Sequence, residues 1–208
     1  EFYSLASSLD IFYEKLKIEK NNSQINKNLL IVDEENFEPE NNLDMVLEGV
    51  ALNFEDKTPI LVIGKHQTKY GTYLKNKFKS HPNIRFIGGL YNLEHLNNLR
   101  YFSNLYFHGH SVGGTNPSLL EAMASKALVI AHHNDFNKGI LKENSHYFST
   151  AKEVKNILNT IKKNDNLQLV QNNFDAIVNE FNWEKINGEY LQLFEECFAK
   201  SDKRKQRK

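Results

Sequence analysis

Residues 106–124 read YFHGHSVGGTNPSLLEAMA and concentrate the residue types that chemistry at a phosphate needs. Gly113 and Gly114 let a backbone come close to a ligand. Asn116 is a strong helix N-cap, and Pro117 suits the first helical position, where its missing N–H is no loss. A helix is therefore expected to begin at Pro117. Its unpaired N–H groups and positive dipole end favour an anion, most simply a phosphate. Glu121 falls one turn farther in, too deep to cap the helix and close enough to accept hydrogen bonds from a diol beside that phosphate. A phosphate beside a diol describes a nucleotide. The plainer alternative, a glycine-rich turn followed by a capped helix with a solvated glutamate, stays open on local grounds. His108 and His110 each fit a hydrogen-bonded structural histidine as well as a ligand contact. No third ligand of the right type lies near them, so no metal site is expected. His132 and His133, after an apolar run, read as the polar mouth of the same crevice.

The elements that must position this loop follow from alternation of short apolar runs with helical stretches, the pattern of a parallel sheet covered by helices. Strands are expected at 29–33, 59–64, 84–87, 104–107, 127–131 and 146–149. Helices are expected at 42–54, around Tyr70–Phe78, and at 93–103, 117–126, 151–163, 166–180 and 183–198. The continuous apolar character of 59–64 indicates burial on both faces. The fold class is thus α/β, a Rossmann-like three-layer α/β/α domain over residues 29–198 with a parallel sheet of about six strands. In such a sheet ligands bind beyond the carboxyl ends of the strands, where the 106–124 loop falls. Residues 1–28 stand apart. Their stretch 3–17 carries Leu5, Leu9, Phe12, Tyr13 and Leu16 on one side and reads as a helix from or toward an N-terminal domain, joined by a polar linker. Trp183 reads as a packing anchor for the last helix.

Composition narrows the function classes. The chain has 208 residues, with 26 basic and 26 acidic side chains, which removes the global electrostatic argument for a nucleic-acid partner. A single cysteine gives no disulfide framework, and no apolar run reaches the ~20 residues of a membrane span. A cytoplasmic setting is expected. Residues 199–208 form a basic tail, a feature that fits either a solvated terminus or a peripheral contact with the inner face of an anionic membrane.

HGHSVGGTNPSLLEAMA resembles the sugar-nucleotide loop of GT-B glycosyltransferases of family 4, most closely the bacterial branch that includes rhamnosyltransferases for surface polysaccharides. The resemblance continues through FEPENN at 37–42, FIGGLYN at 86–92, DFNKGIL at 135–141 and FNWEKINGEYLQLF at 181–194. It implies the C-terminal, donor-binding half of such an enzyme. That half would bind a UDP-, dTDP- or GDP-linked sugar for transfer to a glycan or lipid-linked acceptor, without a cofactor or metal. An N-terminal acceptor domain or partner chain would supply the rest, and the isolated domain would be inactive. Glu121 matches the second glutamate of the family's Glu-x7-Glu motif, which grips the ribose hydroxyls. Gly113, Gly114, Thr115, Asn116 and Ser118 match the loop that holds the diphosphate. Leu90 and Tyr91 match the place where the main chain reads the base, and His108 and His110 fall at the strand end facing sugar and phosphates, with His110 grouped with Glu121 as catalytic.

Departures from the pattern are specific. The first glutamate of the pair is replaced by Gly113, and the arginine before PENN by Asn36. The family's Asn-Arg-Glu-Val run appears as Asn137, Lys138, Gly139 and Ile140. Lys65 and His66, after the second strand, are candidates to compensate for a missing clamp on the diphosphate. The departures also support a rival from another class, a non-catalytic nucleotide-binding or interaction module descended from a transferase. An epimerase of the same fold is disfavoured, because its acidic and basic pair is not evident.

Overall fold

The computed structural model describes residues 29–53 and 58–205. The amphipathic stretch 3–17 and its linker lie outside the described residues. Strand β1 (Leu30–Asn36) is followed by a 3₁₀ turn (Pro39–Asn41) and α1 (Leu43–Ala51), then β2 (Ile60–Lys65), α2 (Lys69–Lys77) and β3 (Ile84–Gly88). The second half runs α3 (Leu93–Phe102), β4 (Leu105–His108), α4 (Pro117–Ala124), β5 (Val129–His132), α5 (Asp135–Leu141) and β6 (His146–Phe148). Helix α6 (Ala151–Thr160), a second 3₁₀ turn (Lys163–Asn166), α7 (Leu167–Asn179) and α8 (Trp183–Lys205) close the chain.

All neighbouring strands pair in parallel, in the order β3-β2-β1-β4-β5-β6. Period-2 alternation explains the continuous apolar runs. Leu30, Val32, Ile60, Val62, Leu105 and Phe107 point into one core layer under α1 and α6. Leu29, Ile31, Leu61, Ile63, Tyr106 and Val129 point into the other, where Leu99 of α3, Met123 of α4 and Ile177 of α7 pack. Both faces are covered, so the apolar side chains of β1, β2, β4 and β5 in the two layers are removed from water.

The order reverses between β1 and β4, and their carboxyl-end connections diverge to opposite faces there, opening a crevice. This is the Rossmann-like α/β domain expected from the sequence.

Three local features differ from expectation. Helix α5 (Asp135–Leu141) is an additional element between β5 and β6, capped by the Asn134 side chain, which accepts from Asn137 N. Helix α8 continues to Lys205, so a tail boundary at 199 falls inside it. Trp183 is 78 % exposed and does not anchor α8 onto this domain. No helix among the described residues is long and apolar enough to cross a membrane.

Candidate functional site

The loops after β1, β4 and β5 converge on residues 109–111. Asn41 Oδ1 accepts from Glu38 N at 2.7 Å, which leaves Asn41 Nδ2 to face His110 Nε2 at 3.0 Å. Asn41 Nδ2 is thus placed to donate to His110 Nε2. Asn42, in the left-handed region at φ 51°, donates from Nδ2 to Gly109 O at 2.8 Å. The Ser111 backbone N–H and hydroxyl both donate to Glu40 O, at 3.0 and 3.1 Å. From the other side, Asn134 Nδ2 and Asn137 Nδ2 donate to His110 O at 2.9 and 3.0 Å. A stretch without secondary structure of its own is thereby fixed from two directions.

Beside it lies a cleft of about 370 Å³. Its start-of-helix wall is Asn116, Pro117 and Ser118. Asn116 Oδ1 accepts from Ser118 N at 2.9 Å and from the Ser118 hydroxyl at 2.8 Å, the N-cap expected from the sequence. The opposite wall is Gly89, Leu90 and Tyr91 after β3, with Ile63 and Leu96 among the lining residues and His110 at the side. Glu121 lies one turn along α4, its side chain 48 % exposed, and its Oε2 accepts from Arg100 Nη2 at 2.9 Å. Arg100 is itself buried and donates from Nη1 to Asn97 Oδ1 at 3.0 Å. A groove of about 510 Å³ lies between α3 and α4, lined by Leu93, Tyr101, Phe102 and Ala124 among others. It shares only Glu121 with the residues singled out in the sequence. The smaller cleft is therefore the one where chemistry concentrates.

The structure gathers Leu90, Tyr91, His110, Asn116, Ser118 and Glu121 around one space. Gly113, Gly114 and Thr115 form an exposed rim, with nothing within 4 Å of a Cβ placed on either glycine. His108 was expected to face the ligand. It is fully buried behind His110, ring centroids 5.0 Å apart, and can touch no ligand. Asn36, Lys65 and His66 do not line the cleft either. Asn36 is exposed and pairs in register with Lys65, while the His66 ring sits 6.4 Å from the buried ring of Phe37. The chain turns inward at Phe37, and the His66 ring lies beside it, its Cε1 3.8 Å from a Cβ placed on Gly88.

Neither ring nitrogen of His108 has a hydrogen-bond partner among the described residues, and burial, with His110 adding to it, pushes its pKa down to about 3. A folded value below the unfolded value of ~6.5 means that the unfolded chain binds the extra proton between the two. His108 therefore costs stability as pH falls from about 6.5 toward 3, by up to ~1.4 kcal/mol per pH unit. Chemical denaturation at pH 6.5 and pH 5 should show a loss in the wild type that exceeds the loss in His108→Phe. Equal losses would place the titration in another group.

Arg100 and Asn41 are the site residues that sequence reasoning missed. Arg100 looks like an ordinary cation in the last turn of an amphipathic helix, and only the packing of α4 on α3 buries it. Asn41 lies in the PENN run, whose Pro after an acidic residue signals a turn but not the partner across the crevice.

A family model described as glycosyl transferases group 1 matches residues 14–178. Among solved structures, that of Alr3699/HepE from Anabaena, in complex with UDP-glucose, superposes with a TM-score of 0.74 at 14 % identity. The match covers 91 % of this chain and 53 % of that one. A glycosyltransferase from Rickettsia africae ESF-5 gives 0.71 at 15 % identity, covering 92 % of this chain and 52 % of that one. The C-terminal domain of a glycosyl transferase group 1 family protein, LpcC from Francisella tularensis, gives 0.62 at 16 % identity, with 81 % and 98 % covered. At these identities the likeness concerns the fold. The chain spans about half the length of the Anabaena and Rickettsia proteins. No curated protein sequence matches it.

Proposed function

The chain belongs to the glycosyl transferases group 1 family, and from that premise we propose that it is the donor half of a transferase, binding a nucleoside-diphosphate sugar in the 370 Å³ cleft. One observation carries the reading: the capped start of α4 and the half-exposed Glu121 carboxylate face the same space, one turn apart. The N–H groups at the helix start suit a diphosphate, and the carboxylate suits ribose hydroxyls. Leu90 and Tyr91 flank the remaining wall, where a base would lie. During transfer the leaving diphosphate gains charge, and donors already aimed at it stabilise that charge without reorganisation. His110 contributes an imidazole held by Asn41, and the reading assigns no metal or cofactor to the reaction.

The Anabaena structures hold UDP and UDP-glucose, which makes a uridine donor the first to test. On the sequence resemblance, family 4 membership, a rhamnose donor linked to dTDP and an acceptor at the inner membrane face belong to the same proposal. The exposed Asn36 and the open rim at Gly113 favour one rival, a non-catalytic nucleotide-binding module.

Calorimetric titration with UDP, dTDP and GDP tests the site. The preferred diphosphate should bind at least ~10–100-fold more tightly than its nucleoside, since charged hydrogen bonds at the helix start are worth roughly 1.5–3 kcal/mol each. Equal affinity for diphosphate and nucleoside would mean that α4 does not bind phosphate.

A further inference from the structure

The Glu121 carboxylate does not stand alone. Arg100, at the last turn of α3, is only 1 % exposed, and a buried guanidinium needs partners for its donors. Nη2 donates to Glu121 Oε2 at 2.9 Å and Nη1 to Asn97 Oδ1 at 3.0 Å. Asn97 Oδ1 also accepts from the Ser125 hydroxyl at 3.0 Å, and that hydroxyl lies 2.7 Å from Glu121 O. At its backbone, Arg100 O accepts from the Ser103 hydroxyl at 2.8 Å. The arginine is therefore fixed at both ends, and it fixes Glu121 in turn. A half-exposed glutamate without such a partner samples several rotamers, and a ligand would have to order it on binding.

We propose that Arg100 is a positioning residue for nucleotide recognition: it holds Glu121 in the one orientation that the ribose hydroxyls meet, so that the site rejects a nucleotide lacking the hydroxyl that Glu121 bonds. The proposal rests on the reading of Glu121 as the ribose contact. A planar guanidinium suits this task, because its donors have a fixed geometry, whereas a lysine ammonium is a point charge with rotatable donors that fixes no carboxylate plane. A site arranged to hydrogen-bond a hydroxyl rejects the analogue that lacks it, since the waiting acceptor is left unmatched.

The test is calorimetry with UDP, 2′-deoxy-UDP and 3′-deoxy-UDP on the wild type, Arg100→Lys, Glu121→Gln and the double variant. The wild type should prefer UDP over at least one deoxy analogue by ~10-fold or more, the worth of a hydroxyl bonded to a carboxylate. In Arg100→Lys that preference should shrink to within ~3-fold while affinity for the deoxy analogue stays near wild type, and the double variant should discriminate no less than Glu121→Gln alone. A purely structural role would lower all three nucleotides together and leave their ratios intact, which would overturn the proposal. Equal binding of the three by the wild type would overturn it differently, by removing the ribose contact beneath it. Asn97→Ala is exposed and spares the buried charge pair, so it keeps the question answerable if Arg100→Lys fails to fold. It should reduce the preference partway, and an unchanged ratio would count against the proposal.

Discussion

Gly109→Ala is expected to destabilise the domain by ~1–3 kcal/mol or more and to weaken nucleotide binding by at least roughly tenfold. A Cβ at this position would lie 1.8 Å from Asn41 O, a backbone atom that no side-chain rotation can move aside. The 3₁₀ turn Pro39–Asn41 and the 109–111 stretch would have to separate by more than 1 Å. The bonds from Asn42 Nδ2 to Gly109 O and from Ser111 to Glu40 O would break with them. His110 would lose its Asn41 partner, and the loop leading to α4 would lose its fixed origin. Gly114→Ala is the matched control. A Cβ there meets nothing within 4 Å, so stability should change by no more than ~0.5 kcal/mol. Urea denaturation together with UDP titration would distinguish the two, and a Gly109→Ala domain as stable as Gly114→Ala would show that the loops do not act as one unit.

The contrast between these glycines shows where sequence reading reaches its limit. Strands β1, β2, β4 and β5 were legible because a strand buried on both faces must be apolar throughout, a constraint written into 30–32, 60–63, 105–107 and 129–131. The start of α4 was equally legible, since an N-cap and a proline act within a few residues of themselves. Helix α5 was not. It is seven residues long, contains Gly139, and depends on Asn134 and Asn137 reaching back to His110 O and His132 O. The importance of Gly109 over Gly113 follows from a backbone crossing between residues 68 positions apart, which no local pattern encodes. Lys65 and His66 were drawn toward the site for the charge they could supply, and Asn36 because it stands where the family's arginine would be. Their exclusion is a matter of direction, because Phe37 turns into the core beside them. Glu121 was found by its spacing from the helix start, but its second task, neutralising buried Arg100, was hidden on another helix. Glu121→Gln should consequently lose stability as well as nucleotide affinity, because a buried guanidinium without its counter-charge is costly.

Supplied alone with nucleotide sugars and lipid-linked acceptors, the 208-residue chain is expected to bind donor and yet transfer no sugar above slow hydrolysis. The described residues form a single six-stranded sheet, and the chain spans about half the length of the Anabaena and Rickettsia glycosyltransferases whose fold it shares. Its cleft is open: Tyr91 is 75 % exposed, and the rim at Gly113 and Gly114 has nothing within 4 Å of a Cβ. A donor seated on the start of α4 would turn its anomeric carbon toward water. Transfer needs the acceptor oxygen held at near-attack distance, and a misplacement of ~1 Å can cost ~100-fold in rate. Closure of a second domain over the site would also exclude the water that competes as acceptor. Binding and turnover should therefore separate, with nucleotide affinity intact in calorimetry and no glycosylated product by mass spectrometry. Adding a protein that carries the acceptor half should restore product in proportion to its occupancy of this chain, and Glu121→Gln should then reduce that restored rate. Robust transfer by the chain alone would show that the acceptor site lies within these 208 residues and would overturn the two-part reading.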